Sequence, residues 1–310
     1  MLARVAESLY WIGRNLERVE HCSRFLKVQY YSTLDAPMSH NKDFTMRSIL
    51  FMAGSEMNFQ APVNENFVWN KVILDPANSN SLFSLTRNAR ENARSIRNNI
   101  SSELWESINK WYLYLKKLRE KPFTSSHIAS FAENTNIHMA LINSAIATTM
   151  LHNDIWSFIS LGMYLERSLQ VLRILRSKIS DSIILSNNGV NKPLLQYQWT
   201  ILLMSLEAFD VYRYQYRGIL SKETIFELLL EKEAFPRSLK HSVQQVKHHI
   251  AAISVRPAGY DKFMKEFEQV LQDCIHFSDF ANEEDTLQEI TESAECLADL
   301  HYEIQNLYFQ

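Results

Sequence analysis

The sequence predicts an all-α protein, a multi-helix bundle built from two tandem, divergent helical repeats packed into one compact unit. Three observations carry this expectation. Only 6 Gly and 7 Pro occur in 310 residues, and long stretches rich in Leu, Glu, Arg, Lys and Ala run without a turn signal. Apolar residues recur at steps of three and four, and no stretch alternates apolar and polar as a half-buried strand would. Finally, LYWIGRNLERVE at residues 9–20 is echoed by FISLGMYLERSL at residues 158–169, both carrying Gly-x-x-Leu-Glu-Arg.

Val5, Leu9, Ile12, Leu16, Val19 and Leu26 mark one buried face of a first helix over about residues 2–30. A polar segment at 35–43 separates it from a helix near 45–56, and Ala61-Pro62-Val63-Asn64 breaks the chain again. The loop 75–81 ends in Ser79 or Ser81, either a candidate cap for one or two helices reaching Glu120, with Ser101 or Ser102 capping at the join. Lys121-Pro122 ends that run. Further helices are expected over about 126–150 and 153–180, then after the 187–193 loop over 194–216, 222–230, 236–254, 258–277 and 283–307.

An offset of 149 residues places Gly13 on Gly162, Leu16 on Leu165, Glu17 on Glu166 and Arg18 on Arg167. A second echo, Asn80-Ser81-Leu82 with Arg237-Ser238-Leu239, is 157 residues apart, giving repeats at 1–150 and 151–310. Glycine inside a helix costs about 1 kcal/mol relative to alanine. Its recurrence at the equivalent position therefore points to a close approach by another helix or a ligand. Glu17 lies about 100° round the helix from Leu16 and Glu20 about 40°, so both flank the apolar stripe. Arg18 falls on the far side with Glu7, Trp11 and Arg14.

Adjacent Glu and Arg diverge by about 100° on a helix, so each is expected to seek partners on other helices. Candidate partners are Arg90, Glu91, Arg94 and Arg97 on one helix, with Glu103, Glu207, Arg213 and Arg237 elsewhere. Two readings stand: interhelical ion pairs that fix register, or a partly buried pocket in which arginines hold an anionic or zwitterionic group.

HExxH, GxSxG, P-loop, GxGxxG and CxxC patterns are all absent, and so is the Glu-x-x-His of a helical di-metal site. Asp273-x-x-His276 stands alone, and His21, one turn from Glu17, is replaced by Gln170 in the second copy; no metal or cofactor is expected. Net charge is −3, which offers no overall field for nucleic acid or anionic lipid, and the aromatics around Trp105, Trp111, Tyr112 and Tyr114 read as core. Cys22, Cys274 and Cys296 are odd in number and fit a reducing compartment rather than a disulfide-stapled secreted domain. With no signal-peptide pattern and no apolar run of about 18–20 residues, a cytoplasmic location is expected.

These blocks resemble the alpha-E family, bacterial helical proteins named for an ER motif carried as a tandem duplication. The resemblance spans nearly the whole chain, through MLARVAESLYWIGRNLERVE, the ARENARSIR stretch with SSELWE, TTMLHNDIWSFISLGMYLERS, SLEAFDVYRYQYRG and EAFPRSLKHSV. Ser160 and Met163 stand where the first copy has Trp11 and Arg14, so the two ER sites are not equivalent. The terminal NLYFQ matches both a cleavable purification tag and the family's own ending, and carries no functional argument. The resemblance implies an accessory component of a peptide synthesis or modification system, partnered with ATP-grasp ligases and transglutaminase-like proteins. It would bind a peptide, an amino-acid-like ligand or a partner protein through the Glu/Arg-lined surface. The alternative is an enzyme with Glu17 or Glu166 as general base and the arginines holding a carboxylate or phosphate.

Overall fold

A computed structural model describes residues 2–35, 39–54, 64–187, 192–218, 220–275, 277, 280 and 282–310. Among them every regular element is helical. The α-helices are α1 (Ala3–Asp35), α2 (Ser39–Met52), α3 (Glu65–Trp69), α4 (Leu82–Ser95), α5 (Ser102–Leu118), α6 (Ile128–Thr148), α7 (Asp154–Asn187), α8 (Lys192–Ser205), α9 (Phe209–Tyr216), α10 (Lys222–Phe226), α11 (Leu239–Ala252), α12 (Tyr260–Cys274) and α13 (Glu283–Tyr308). The chain forms two compact units, residues 8–163 and residues 1–7 with 164–310, and the boundaries fall inside α1 and α7.

In the unit 8–163, α1 buries Leu9, Tyr10, Ile12, Leu16, Val19, Phe25 and Leu26. Its backbone meets the first turns of α7 at the two glycines. A Cβ on Gly13 would lie 2.1 Å from the Ile159 carbonyl oxygen and 2.9 Å from the Met163 nitrogen; a Cβ on Gly162 would lie 2.1 Å from the Tyr10 carbonyl oxygen and 3.1 Å from the Arg14 nitrogen. These contacts are reciprocal, because Ile159 and Met163 follow Tyr10 and Arg14 at the same 149-residue offset as the glycines. The crossing thus has a local two-fold pseudosymmetry. What comes close to each glycine is helix backbone, which only an absent side chain permits.

Helices α4, α5 and α6 pack as consecutive antiparallel neighbours joined by short capped turns. The Ser81 and Ser101 hydroxyls accept from Ser84 N at 3.1 Å and Leu104 N at 3.2 Å, satisfying donors that a helix start leaves open. Leu104, Ile108, Trp111 and Leu115 form the buried stripe of α5. Trp111 donates to Thr86 Oγ1 at 3.0 Å and packs on Tyr114 and His138, with ring centroids 5.4 and 5.2 Å away.

Several elements differ from the sequence expectation. Residues 65–74, assigned no helix, form α3 continued by a π-helical turn, Asn70–Leu74, with Asn64 capping through Phe67 N at 3.1 Å. The same composite recurs as α10 and the π-helical turn Glu227–Glu231, capped by Ser221, again 157 residues on, and each is followed by a serine-capped helix, α4 or α11. The second composite was expected as a helix over 222–230, and in both the last turn differs from an α-helix in hydrogen-bonding from i to i+5.

The single helix expected at 194–216 is two, α8 and α9. Ala208 N bonds Leu203 O at 2.8 Å and Glu207 N bonds Met204 O at 3.2 Å, with Glu207 left-handed at φ 53°, the arrangement in which a helix ends on a position usually held by glycine. The loops expected at 61–63 and 188–191 lie outside the described residues. Cys22 is buried and in no disulfide, whereas Cys296 is disulfide-bonded. No helix among the described residues is long and apolar enough to cross a membrane.

Gly13→Ala and Gly162→Ala should each destabilise the protein by about 2–4 kcal/mol in denaturant titrations, since the new methyl meets backbone rather than a movable side chain. The double variant should lose less than the sum, because the first methyl already parts the helices. Burial against Trp111 and Tyr114 holds the His138 imidazole below its ordinary 6.5. The unfolded chain therefore takes up the proton more readily, and stability present above pH 6.5 should fall as pH drops below it. His138→Phe should flatten that part of the stability profile.

Candidate functional site

The ER pairs occupy matching places in the two units. Glu17 is buried on α1, and its Oε1 lies 3.1 Å from His21 Nε2. Glu166 is buried on α7, and its Oε1 accepts from Gln170 Nε2 at 2.6 Å. Residues 21 and 170 share the 149-residue offset, so two different donors serve one position. The hydrogen bonds to His21 and Gln170 each run one turn along the glutamate's own helix.

The arginines do reach other segments. Arg18 donates to Asn80 Oδ1 at 3.2 Å, beside the cap Ser81, and Arg167 donates to the Pro236 carbonyl at 3.4 Å, two residues before the cap Ser238. Each ER arginine therefore fastens the turn that launches the next serine-capped helix. The Arg167 guanidinium also lies over the Tyr164 ring, 4.9 Å from its centroid.

The remaining candidates are dispersed. Arg14 is buried over the Tyr10 and Trp11 rings and donates to Tyr10 Oη at 2.9 Å. Glu20 is buried between Arg24, at 2.5 Å, and Asn143, whose amide donates to it at 3.0 Å. Arg90 pairs with Glu91 at 2.6 Å and donates to Asn109 at 2.7 Å, and Glu91 also pairs with Arg94 at 2.9 Å. Glu207 pairs with Arg237 at 2.6 Å, next to the Pro236 carbonyl that Arg167 holds. Glu7 is half-buried; Glu103 and Arg213 are exposed, the latter over Phe209.

Two clefts have other linings. One, about 850 Å³, lies in the unit containing residues 164–310 between the π turn Glu227–Glu231, α11 and α12, and is walled by Glu231, Lys232, Lys240, Gln244, Lys247 and Glu268. Burial, and then the charge of Glu227 at its edge, pushes the Tyr216 hydroxyl up to about 12. The other, about 280 Å³, lies in the unit 8–163 beside the π turn Asn70–Leu74 and is walled by Phe67, Lys71, Asp75, Arg119 and Lys121. A hydrogen bond from Lys71, then one from the Ala77 amide, holds the Asp75 carboxyl below its usual 3.8.

Sequence reasoning did not single out Arg87 and took Arg119, with Lys116 and Lys117, for a solvated helix face, yet a pattern was present. Phe83, Arg87, Arg90, Arg94 and Arg97 follow at steps of four, three, four and three, and Trp105, Tyr112 and Arg119 at steps of seven. Among the described residues no group of three or more His, Cys, Asp or Glu side chains is placed to hold a metal ion; His276, and with it the Asp273-x-x-His276 pair, lies outside them.

A family model described as Alpha-E, a predicted alpha-helical domain with a conserved ER motif, matches residues 1–309. The chain is also similar to three uncharacterised mycobacterial proteins, Mb2597 of Mycobacterium bovis and MT2643 and Rv2567 of Mycobacterium tuberculosis. Each is 19% identical over 263 residues, covering 79% of this chain and 29% of the relative. The chain thus spans less than a third of the length of these relatives. No solved structure matches it.

Removing the buried glutamates should test their structural weight. Glu17→Ala and Glu166→Ala should each lose about 2–3 kcal/mol in chemical denaturation, because a buried donor is left without its acceptor. Glu166→Gln, which keeps an accepting oxygen for Gln170, should lose no more than about 1 kcal/mol.

Proposed function

Because the chain belongs to the Alpha-E family, we propose that it is a helical accessory component of a bacterial peptide synthesis or modification system, working by binding rather than by catalysis. The observation that carries this reading is the inward placement of both ER glutamates. Each is buried and hydrogen-bonded along its own helix, while its neighbouring arginine is committed to a turn. A general base must meet the proton it removes at hydrogen-bond distance, and these carboxylates face the protein interior.

In this reading the ER pairs hold helices in place and the outer faces do the binding. The partners are ATP-grasp ligases and transglutaminase-like proteins, as the resemblance implies, and the ligand is a peptide or amino-acid-like molecule. The longer mycobacterial relatives, in which the matched segment is a minor part, support a module that works attached to other protein.

Affinity capture with the purified protein should retain an ATP-grasp ligase or a transglutaminase-like protein. Glu17→Gln and Glu166→Gln, checked for folding by circular dichroism, should leave both capture and system turnover within about twofold of wild type. Loss of turnover with complexes still intact would overturn the binding reading in favour of a catalytic glutamate. Capture of neither partner would refute the assignment of partners.

A further inference from the structure

On the unit 8–163, α4 and α5 carry a continuous row of guanidinium groups and aromatic rings. Arg119 and Arg87 lie over Phe83, 4.2 and 6.0 Å from its centroid, and Phe83 contacts Tyr112 at 5.8 Å. Arg90 lies over Tyr112 and Trp105 at 4.7 and 5.7 Å, and Arg97 over Trp105 at 5.4 Å. A guanidinium held over a ring can still donate from its N–H edge, as Arg90 does to Asn109 and Glu91.

Arg87, Arg97 and Arg119 have no carboxylate partner among the described residues. Arg97 and Arg119 are exposed, Arg87 is half-buried, and Arg119 also walls the 280 Å³ cleft with Lys121. The row already takes carboxylates where the chain supplies one, since Glu91 bridges Arg90 and Arg94 at 2.6 and 2.9 Å. The positions 157 residues on from Phe83, Arg87 and Arg90 are Lys240, Gln244 and Lys247, which line the open 850 Å³ cleft instead. The stacked row is therefore particular to the first half.

We propose that this row is the docking surface for an acidic, extended segment of a partner protein, with one carboxylate seated at Arg119 and others at Arg87 and Arg97. The inference rests on the reading of the protein as a binding component and names the surface and the chemistry it takes. From Trp105 to Arg119 α5 runs about 21 Å, which an extended peptide covers in about six or seven residues. In such a strand every second side chain faces the row, so alternating acidic residues meet successive arginines. Nucleic acid suits the row less, because the ring faces that would stack bases are covered by guanidinium groups.

A blocked seven-residue peptide of alternating glutamate and alanine is titrated into the whole protein by calorimetry, with its glutamine counterpart and a single-stranded oligonucleotide in parallel. The glutamate peptide should bind, weaken with added salt, and protect amides within residues 83–119 from hydrogen exchange, whereas the glutamine peptide should not bind. Replacing Arg87, Arg97 and Arg119 together by Gln should weaken binding at least about tenfold, while the equal charge change Lys232→Gln, Lys240→Gln and Lys247→Gln should alter it less than about twofold. The exposed single variant Arg97→Gln, about threefold weaker, serves where the triple variant misfolds.

No binding by the wild type, equal loss in the two triple variants, protection elsewhere, or tighter binding of the oligonucleotide overturns the proposal. Peptide binding without capture of the ligase or transglutaminase-like partner upholds the row and refutes only those partners.

Discussion

Where α1 crosses α7, backbone lies against backbone, and a single carbon added to either glycine would fall 2.1 Å from a carbonyl oxygen. That approach fixes how the two longest helices of the fold meet, and the other features of the α1 helix are arranged around it. Side chains on the turns beside the crossing must leave room, so Tyr10 and Arg14 lie stacked along α1. One turn after each glycine comes the glutamate, buried and held by a hydrogen bond four residues on. The ER motif is the continuation of a helix whose position the glycine has already set.

From there the arginine carries the constraint outward. Its stem leaves the buried face and its guanidinium ends on a turn, at Asn80 in one unit and Pro236 in the other, where a serine then starts the next helix. Glycine, glutamate and arginine thus do three separate jobs within six residues: approach, burial and tethering. Their sequential spacing follows from the helix period, which turns consecutive residues about 100° apart. Charges elsewhere stand on outer faces, where Lys240 and Lys247 of α11 and Glu268 of α12 line one cleft and Lys71, Asp75, Arg119 and Lys121 line the other.

The helical class was legible because periodicity and the scarcity of glycine and proline agree along the chain, and the caps were legible to within two serines each, Ser79 or Ser81 and Ser101 or Ser102, because their chemistry is local. The helical composite at residues 65–74 was not, whereas its counterpart was read as a plain helix over 222–230, without the π turn that ends it. Nor was the break at Glu207, where a left-handed residue usually announced by glycine is a glutamate. At the candidate site the doubled Glu-Arg was plain, but whether it faced inward depended on His21 and Gln170 as partners. The arginine row shows the reverse case: its spacing was visible, yet its meaning required knowing that α4 and α5 are neighbours.

The reciprocity of the glycine crossing carries a kinetic consequence. Each side offers the other the same set of positions, which is the geometry of an isologous interface between two copies of one chain. Here both sides belong to a single polypeptide, so the contact forms at an effective concentration set by the connecting residues rather than by protein concentration. The contact is therefore made in folding, and dilution does not undo it.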